Sequence, residues 1–127
     1  MKYHIPFFLW LLIIFVESSF PSIDFPHVGI FQADKLVHIG IFGLLGLLCY
    51  ISFIHQQKFP ALYKNPLLWT LIFTSLYGAS DEFHQYFVPG RDCEFFDWVG
   101  DTIGAIFAVL AIKYFLSKKW KLFKQSN

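Results

Sequence analysis

Charged side chains are scarce in this chain of 127 residues, of which 15% are charged and 56% are hydrophobic. A soluble domain of this size carries about a quarter of its residues as charged side chains. The chain therefore has too little polar surface for a soluble domain, and its composition favours an integral membrane protein. It also has no low-complexity tract, no long linker and no internal repeat, so we predict one domain over residues 1–127.

Cysteine is equally scarce: Cys49 lies in an apolar run and Cys93 in a polar loop. Neither has a metal-type spacing such as C-x-x-C, and the topology argued below separates them along the membrane normal, which disfavours a disulfide. No cofactor or metal is predicted, because the spacing of the candidate ligands matches no named motif. Nucleic-acid binding is not predicted either, since the lysines flank membrane segments and form no recognition face.

Long apolar runs are what the sequence does contain. A hydrocarbon core of about 30 Å requires about 20 helical residues. We therefore predict an all-α bundle of four transmembrane helices, over about residues 3–19, 35–55, 66–87 and 95–116. The first run also resembles a secretory signal peptide, but "VESSFPS", residues 16–22, lacks an A-x-A cleavage pattern, which favours a retained helix.

The two signs of charge are segregated along the predicted bundle. Eight of the ten basic residues lie at one end of the helices, whereas Lys35 and Arg91 lie at the other end. All nine acidic residues lie on or near that second end. The positive-inside rule then predicts a multi-pass protein of the cell membrane, with both termini in the cytoplasm and the loops 17–35 and 88–96 outside.

Polar side chains recur at the outward ends of three predicted helices. Positions four apart share one face of a helix. The pairs with this spacing are Asp34 with His38, Asp81 with Gln85, and Asp97 with Asp101. An ionisable residue in the apolar zone costs at least about 2.5 kcal/mol unless it is paired or solvated. One outward-facing polar pocket, which also includes Glu82 and His84, explains the whole set, although acids such as Asp34 and Asp97 are also favourable at any helix N-terminus.

Two stretches resemble the VanZ-like family: "DKLVHIGIFGLLG", residues 34–46, and "YGASDEFHQYFVPGRDCEFFDWVGDTIGA", residues 77–105. The family pattern falls on Asp34, Lys35, His38, Asp81, Glu82, His84, Gln85, Arg91 and Asp97. Where this pattern has Asn, the chain has Asp101, which adds a potential negative charge. The resemblance covers about residues 17–112 and implies an integral membrane protein. The family is named for a protein associated with resistance to teicoplanin, so a link to glycopeptide resistance is an expectation.

The first functional hypothesis is an outward-facing module that binds membrane lipids and an anionic envelope ligand, such as a lipid-linked precursor or a peptide carboxylate. Arg91 would clamp the anion, because a guanidinium pairs bidentately with phosphate and carboxylate. The turn "VPGR" would fold Arg91 over the acidic cluster, where Asp97 or Glu82 would orient it. His84 and Gln85 would donate further hydrogen bonds. The remaining predicted binding residues are Asp34, Lys35 and Asp101.

Two other hypotheses remain open. In an enzyme acting on an envelope lipid, His38 or His84 would be the general acid or base, oriented by Asp34 or Asp81, with Glu82 as a second acid. A metal-dependent variant of this enzyme would use His38, His84 and a carboxylate. In the structural hypothesis, the polar network only fixes how the helices pack, and partner proteins supply the function.

Overall fold

The computed structural model describes residues 2–21, 31–91 and 93–125, with the side chains of residues 31–35 and 119–125 outside this description. The described chain is helical and holds no strand. Its helices are α1 (Ile5–Ser18), α2 (Phe31–His55), α3 (Pro60–Lys64), α4 (Pro66–Gln85) and α5 (Phe95–Gln125). The predicted all-α fold is confirmed, and the four long helices correspond to the four apolar runs.

Helix boundaries differ from the prediction by more than two residues in two places. α2 begins at Phe31 and α5 continues to Gln125, nine residues beyond the predicted end at 116. The extension of α5 is rich in lysine and contains neither proline nor glycine, so nothing in its sequence ends the helix. The short helix α3 was not predicted. It begins with Pro60, and a proline is well tolerated in the first turn of a helix.

The turn after α4 has the conformation that its sequence predicts. Gly90 has a φ of 78°, in the left-handed region that favours glycine. The backbone N–H of Arg91 donates to the Val88 carbonyl over 3.1 Å and closes the turn. This bend directs the chain from the end of α4 into α5.

Consecutive long helices run in opposite directions. At one end of the bundle His4 hydrogen-bonds to Ser52 over 2.7 Å, which brings the start of α1 to the end of α2. At the opposite end the His84 ring lies 3.0 Å from the Ser19 hydroxyl, which brings the ends of α4 and α1 together. We call this second end, where α1 and α4 finish and α2 and α5 begin, the polar end.

The apolar core lies between α1, α2 and α4. It is built from six buried side chains: Phe7, Ile14, Phe42, Leu45, Cys49 and Phe53. α2 and α5 approach each other most closely at their glycines. A Cβ on Gly46 would lie 3.0 Å from Ala105 Cα, and a Cβ on Gly104 would overlap the Ile39 carbonyl. Backbone contact along this seam fixes the position of α2 relative to α5.

Among the described residues, two segments are long and apolar enough to cross a membrane, Leu36–His55 and Phe95–Lys118, and α1 is a shorter apolar helix. Large apolar side chains also cover much of the outer surface. On α1, for example, Phe8 is 63% exposed and Leu12 is 57% exposed. Soluble monomers rarely expose apolar patches of this extent, whereas a lipid bilayer accommodates them. The surface therefore supports a membrane protein.

Candidate functional site

The polar end buries a group of ionisable and amide side chains, each less than a tenth exposed. We call this group the polar cluster; its members are His38, Asp81, Glu82, Gln85, Asp97 and Asp101. α2 contributes the histidine, α4 contributes Asp81, Glu82 and Gln85, and α5 contributes the other two acids. Three helices thus bring their polar residues to one level of the bundle, at the end that the sequence assigned to the outside.

His38 and Asp101 form the central contact of the polar cluster. The Nδ1 of His38 lies 3.1 Å from Oδ1 of Asp101, and Asp101 is only 1% exposed. Gly78 on α4 makes room for this carboxylate, since a Cβ there would lie 3.2 Å from Asp101 Oδ2. The sequence had assigned Asp34 or Asp81 as the carboxylate that orients a histidine. For His38 the observed partner is Asp101, because the N-terminal halves of α2 and α5 pack side by side.

The two acids of α4 have different partners. Gln85 donates from Nε2 to Asp81 Oδ2 over 3.0 Å, as the spacing of four positions suggests. Glu82 accepts at Oε2 from the backbone N–H of Glu94 over 2.9 Å, directly ahead of α5. Two buried oxygens, Glu82 Oε1 and Asp101 Oδ2, have no hydrogen-bond partner in the described part of the chain. The cluster therefore retains acceptor capacity that the described protein groups do not use.

Three members of the polar cluster have the geometry of a metal-binding group. His38, Glu82 and Asp97 each offer one ligand atom, and these atoms lie within 4.8 Å of one another. All three residues are buried. The ligand set considered from the sequence contained His84, but that ring lies elsewhere.

His84 faces α1. Its Nε2 lies 3.0 Å from the Ser19 hydroxyl, and its ring is 4.9 Å from the ring of Phe15. One turn of α4 carries Asp81, Glu82 and His84, and of these three only the two acids are buried in the polar cluster. The three-position offset between Asp81 and His84 is enough to place the histidine on the neighbouring face.

Arg91 also binds the end of α1. Its Nη2 donates to Glu17 Oε1 over 2.9 Å, and its Nε donates to the Phe20 carbonyl over 3.1 Å. The sequence had predicted that Asp97 or Glu82 would orient this guanidinium; the observed carboxylate is that of Glu17. The Arg91 side chain is 17% exposed and that of Glu17 is 55% exposed, so the pair lies at the rim of the polar end.

Sequence reasoning did not include Glu17 and Ser19 among the site residues. Their signals are their position at the exit from the first apolar run and the resemblance of Glu17-Ser18-Ser19 to the serine-containing exit from the first helix in the VanZ-like family. Asp34 and Lys35 lie in the first turns of α2, and their side chains are outside the described part of the structure. Their predicted roles stay predictions, as do the catalytic and binding roles assigned to the other site residues.

The fold, the exposed apolar surface and the buried polar cluster define a small all-helical membrane protein. The sequence profile of the family described as VanZ/LLP1 matches residues 3–117, and the chain belongs to this family. No curated protein and no solved structure was found to match the chain. The family membership agrees with the resemblance carried by the two motifs around His38 and Glu82.

Proposed function

We propose that this protein crosses the cell membrane with its four long helices, keeps both termini in the cytoplasm and presents the polar cluster outward. The cluster binds or processes an anionic ligand of the cell envelope, such as a lipid-linked precursor. The segregation of charge supports the orientation, because eight of the ten basic residues lie at the end opposite the cluster. The exposed apolar side chains support membrane burial of the helices.

The observation that carries the proposal is the group of buried acids with unused acceptor oxygens. Glu82 is 4% exposed and Asp101 is 1% exposed, yet each has an oxygen without a partner among the described residues. Leaving a buried polar atom unsatisfied costs about 1 to 3 kcal/mol, and more for a charged group. A network that served only packing gains nothing from this cost. A site that receives a hydrogen-bond donor or a cation at these oxygens explains why the cost persists.

Two features beside the cluster support an anionic ligand with a lipid tail. Arg91 provides a guanidinium at the rim, where its partners among the described residues are a half-exposed carboxylate and two backbone carbonyls. An open apolar groove of about 410 Å³ runs along α1 next to this pair, lined by Leu12, Ile13, Val16, Glu17 and Phe20. A phosphate can exchange with Glu17 at the guanidinium while a hydrocarbon chain occupies the groove.

The experiment is a binding measurement with the purified protein in nanodiscs of zwitterionic lipid. The probe is a polyprenyl diphosphate, and the reference ligand is the uncharged polyprenol of equal length. We expect wild-type protein to prefer the diphosphate. Arg91→Lys keeps the charge but loses bidentate geometry, and it should bind the diphosphate at least about tenfold more weakly. Glu17→Gln is the matched control, because it removes only the competing carboxylate and should bind equally well or more tightly.

Equal binding of the diphosphate and the polyprenol by wild-type protein would contradict the proposal. Undiminished binding by Arg91→Lys would exclude the guanidinium as the anion clamp. If the ligand is processed without a metal ion, His38 is the base that its contact with Asp101 prepares. Product formation from the diphosphate, lost in a folded His38→Gln variant, tests that extension.

A role in glycopeptide resistance is a further part of the proposal and rests on the family alone. The test is the teicoplanin concentration that inhibits growth of a host with and without the expressed protein. We expect a higher inhibitory concentration with wild-type protein than with a folded Asp97→Asn variant. Equal inhibitory concentrations for the two proteins would show that Asp97 of the polar cluster has no part in resistance.

The structural hypothesis is the second candidate, and specific contacts favour it. The bond between His38 and Asp101 joins α2 to α5, and the bond from Glu94 to Glu82 joins α5 to α4. Such contacts fix helix positions whether or not a ligand binds. Under this hypothesis each neutralising substitution in the cluster lowers the folded fraction, and no envelope ligand binds in a way that depends on Arg91.

A further inference from the structure

We propose that His38, Glu82 and Asp97 form a binding site for one divalent cation of the Zn²⁺ or Mn²⁺ type. Their ligand atoms lie within 4.8 Å of one another in the buried part of the polar end. With metal–ligand bonds of about 2.1 Å, pairs of ligand atoms lie about 3 to 4 Å apart. Small side-chain rotations are therefore sufficient to close the group around an ion.

The contact between His38 and Asp101 is what a metal-binding histidine requires. When the neutral imidazole donates its Nδ1–H to Asp101 over the observed 3.1 Å, Nε2 carries the lone pair that a metal ligand requires. Metal-binding histidines almost always donate their other ring N–H to a carboxylate, a carbonyl or water, which orients the ring and raises its basicity. Asp101 thus acts as a positioning residue behind the proposed ligand.

The unused acceptor oxygen of Glu82 is an independent observation in the same group. Glu82 is 4% exposed, Oε2 accepts from the Glu94 N–H, and Oε1 has no hydrogen-bond partner in the described chain. A carboxylate with one oxygen held by a backbone N–H and the other unsatisfied is oriented to coordinate a cation. The ion would also offset the mutual repulsion of the acids that α4 and α5 bring together.

The donor set selects the class of ion. One imidazole and two carboxylates suit Zn²⁺, Mn²⁺ and related first-row ions, whereas Ca²⁺ takes oxygen ligands only. Three protein ligands leave further coordination positions for water or a ligand oxygen, as in sites where a metal acts on a bound molecule. The role of these open positions rests on the proposed function. There the cation would bind the anionic head group, which the four nearby carboxylates would otherwise repel.

The test is direct metal binding by the purified full-length protein, without any envelope ligand. After treatment with a chelator, the protein in zwitterionic nanodiscs is titrated with Zn²⁺ and, separately, Mn²⁺ by calorimetry. Stoichiometry is measured by elemental analysis after gel filtration. We expect one ion per wild-type chain for at least one of the two metals. Asp97→Asn and Glu82→Gln should bind it at least about 100-fold more weakly. This loss of affinity exceeds the one expected when only a residue that hydrogen-bonds to a ligand is changed.

Two further variants control the interpretation. Glu17→Gln removes an acid from the same end of the bundle but outside the group, and it should bind the ion as wild-type protein does. Asp101→Asn retains an oxygen that accepts from His38, so it should still bind one ion, weakened about 10-fold. Circular dichroism of each metal-free variant shows whether it is folded.

Absence of stoichiometric binding by wild-type protein, or equal binding by Asp97→Asn and Glu82→Gln, would overturn the inference. If one of these two variants does not fold, the inference is tested by the wild-type stoichiometry and by the variant that does fold. The two proposals can fail separately, because diphosphate binding is measured with and without added metal. Diphosphate binding that survives the chelator contradicts the role of the metal and leaves the proposed function intact.

Discussion

Within the polar cluster, the contact between His38 and Asp101 is the one on which we expect stability to depend most strongly. Asp101 is almost completely buried and has His38 as the hydrogen-bonding partner of Oδ1. Burying a charged group is tolerated only when its partner stays in place, and removing one partner leaves the other uncompensated. Removing one partner of the pair should therefore destabilise the protein strongly, although replacing both partners by apolar residues costs little.

The first prediction concerns this pair. His38→Leu should lower the free energy of unfolding by about 3 to 5 kcal/mol, because it leaves the Asp101 carboxylate without a partner. The double variant His38→Leu/Asp101→Leu should recover most of this loss, since two apolar residues replace the pair. Unfolding in detergent, followed by circular dichroism, measures both values. A double variant as unstable as the sum of the two single variants would show that the pair is not the cause.

The pair of Arg91 and Glu17 should contribute far less to stability. It lies at the rim with Glu17 half exposed, and exposed ion pairs contribute about 0.2 to 1 kcal/mol. Glu17→Gln should thus lower the free energy of unfolding by less than about 1 kcal/mol, measured in the same detergent assay. A loss of several kcal/mol would mean that Glu17 fixes the bundle, and it would disqualify Glu17→Gln as a control for binding.

At the scale of residues, the sequence identified the level of the site better than its contacts. The helical spacing and the burial argument placed His38, Asp97 and Asp101 at one end, and the structure brings them together. The sequence did not identify the partners of His84 and Arg91. These contacts join residues 65 and 74 positions apart, and no periodic pattern relates such distant positions. Pairing across helices is decided by their relative rotation, which composition does not encode.

At the scale of helices, the seam between α2 and α5 positions His38 against Asp101. Gly104 lies against the backbone of Ile39, one residue beyond His38, and no side-chain movement can relieve an overlap there. Gly40 lies on the same helix as His38, but a Cβ there would meet no atom within 4 Å. These two glycines therefore form a matched pair for testing the seam.

The prediction for the seam is that Gly104→Ala separates α2 from α5, whereas Gly40→Ala does not. Overpacking of this kind costs about 1 to 3 kcal/mol, and it should also weaken the contact between His38 and Asp101. Gly40→Ala should be neutral or stabilising by up to about 1 kcal/mol, because alanine favours the helix. Thermal unfolding of both variants measures the difference. Equal stabilities would mean that the seam tolerates an added methyl group.

The helices α1, α2, α4 and α5 were predictable because each corresponds to an apolar run in the sequence. What the sequence did not indicate was the short helix α3 and the continuation of α5 to Gln125. α3 has five residues, too few for a periodic pattern. The last turns of α5 are charged, and hydrophobicity marks only the part of a helix that suits a membrane.

At the scale of the whole molecule, the proposed orientation can be tested with the protein's own thiols. Cys93 is exposed in the loop before α5, whereas Cys49 is buried in α2. A membrane-impermeant maleimide should label Cys93 in intact cells, and Cys93→Ser should abolish this signal. In the Cys93→Ser protein, Gln57→Cys, in the loop between α2 and α3 at the opposite end, should react only after the cells are permeabilised. The reverse pattern would invert the topology and turn the polar cluster to the cytoplasm.

The central claim is that the polar cluster is a ligand site and not a packing device, and Glu82→Gln tests it most directly. Glutamine keeps an oxygen for the Glu94 N–H but removes one of the buried carboxyl groups. A site maintained for function is commonly destabilising in itself. The account predicts that the free energy of unfolding of the metal-free Glu82→Gln protein equals or exceeds that of wild-type protein. A loss of more than about 2 kcal/mol would contradict it and favour the structural hypothesis.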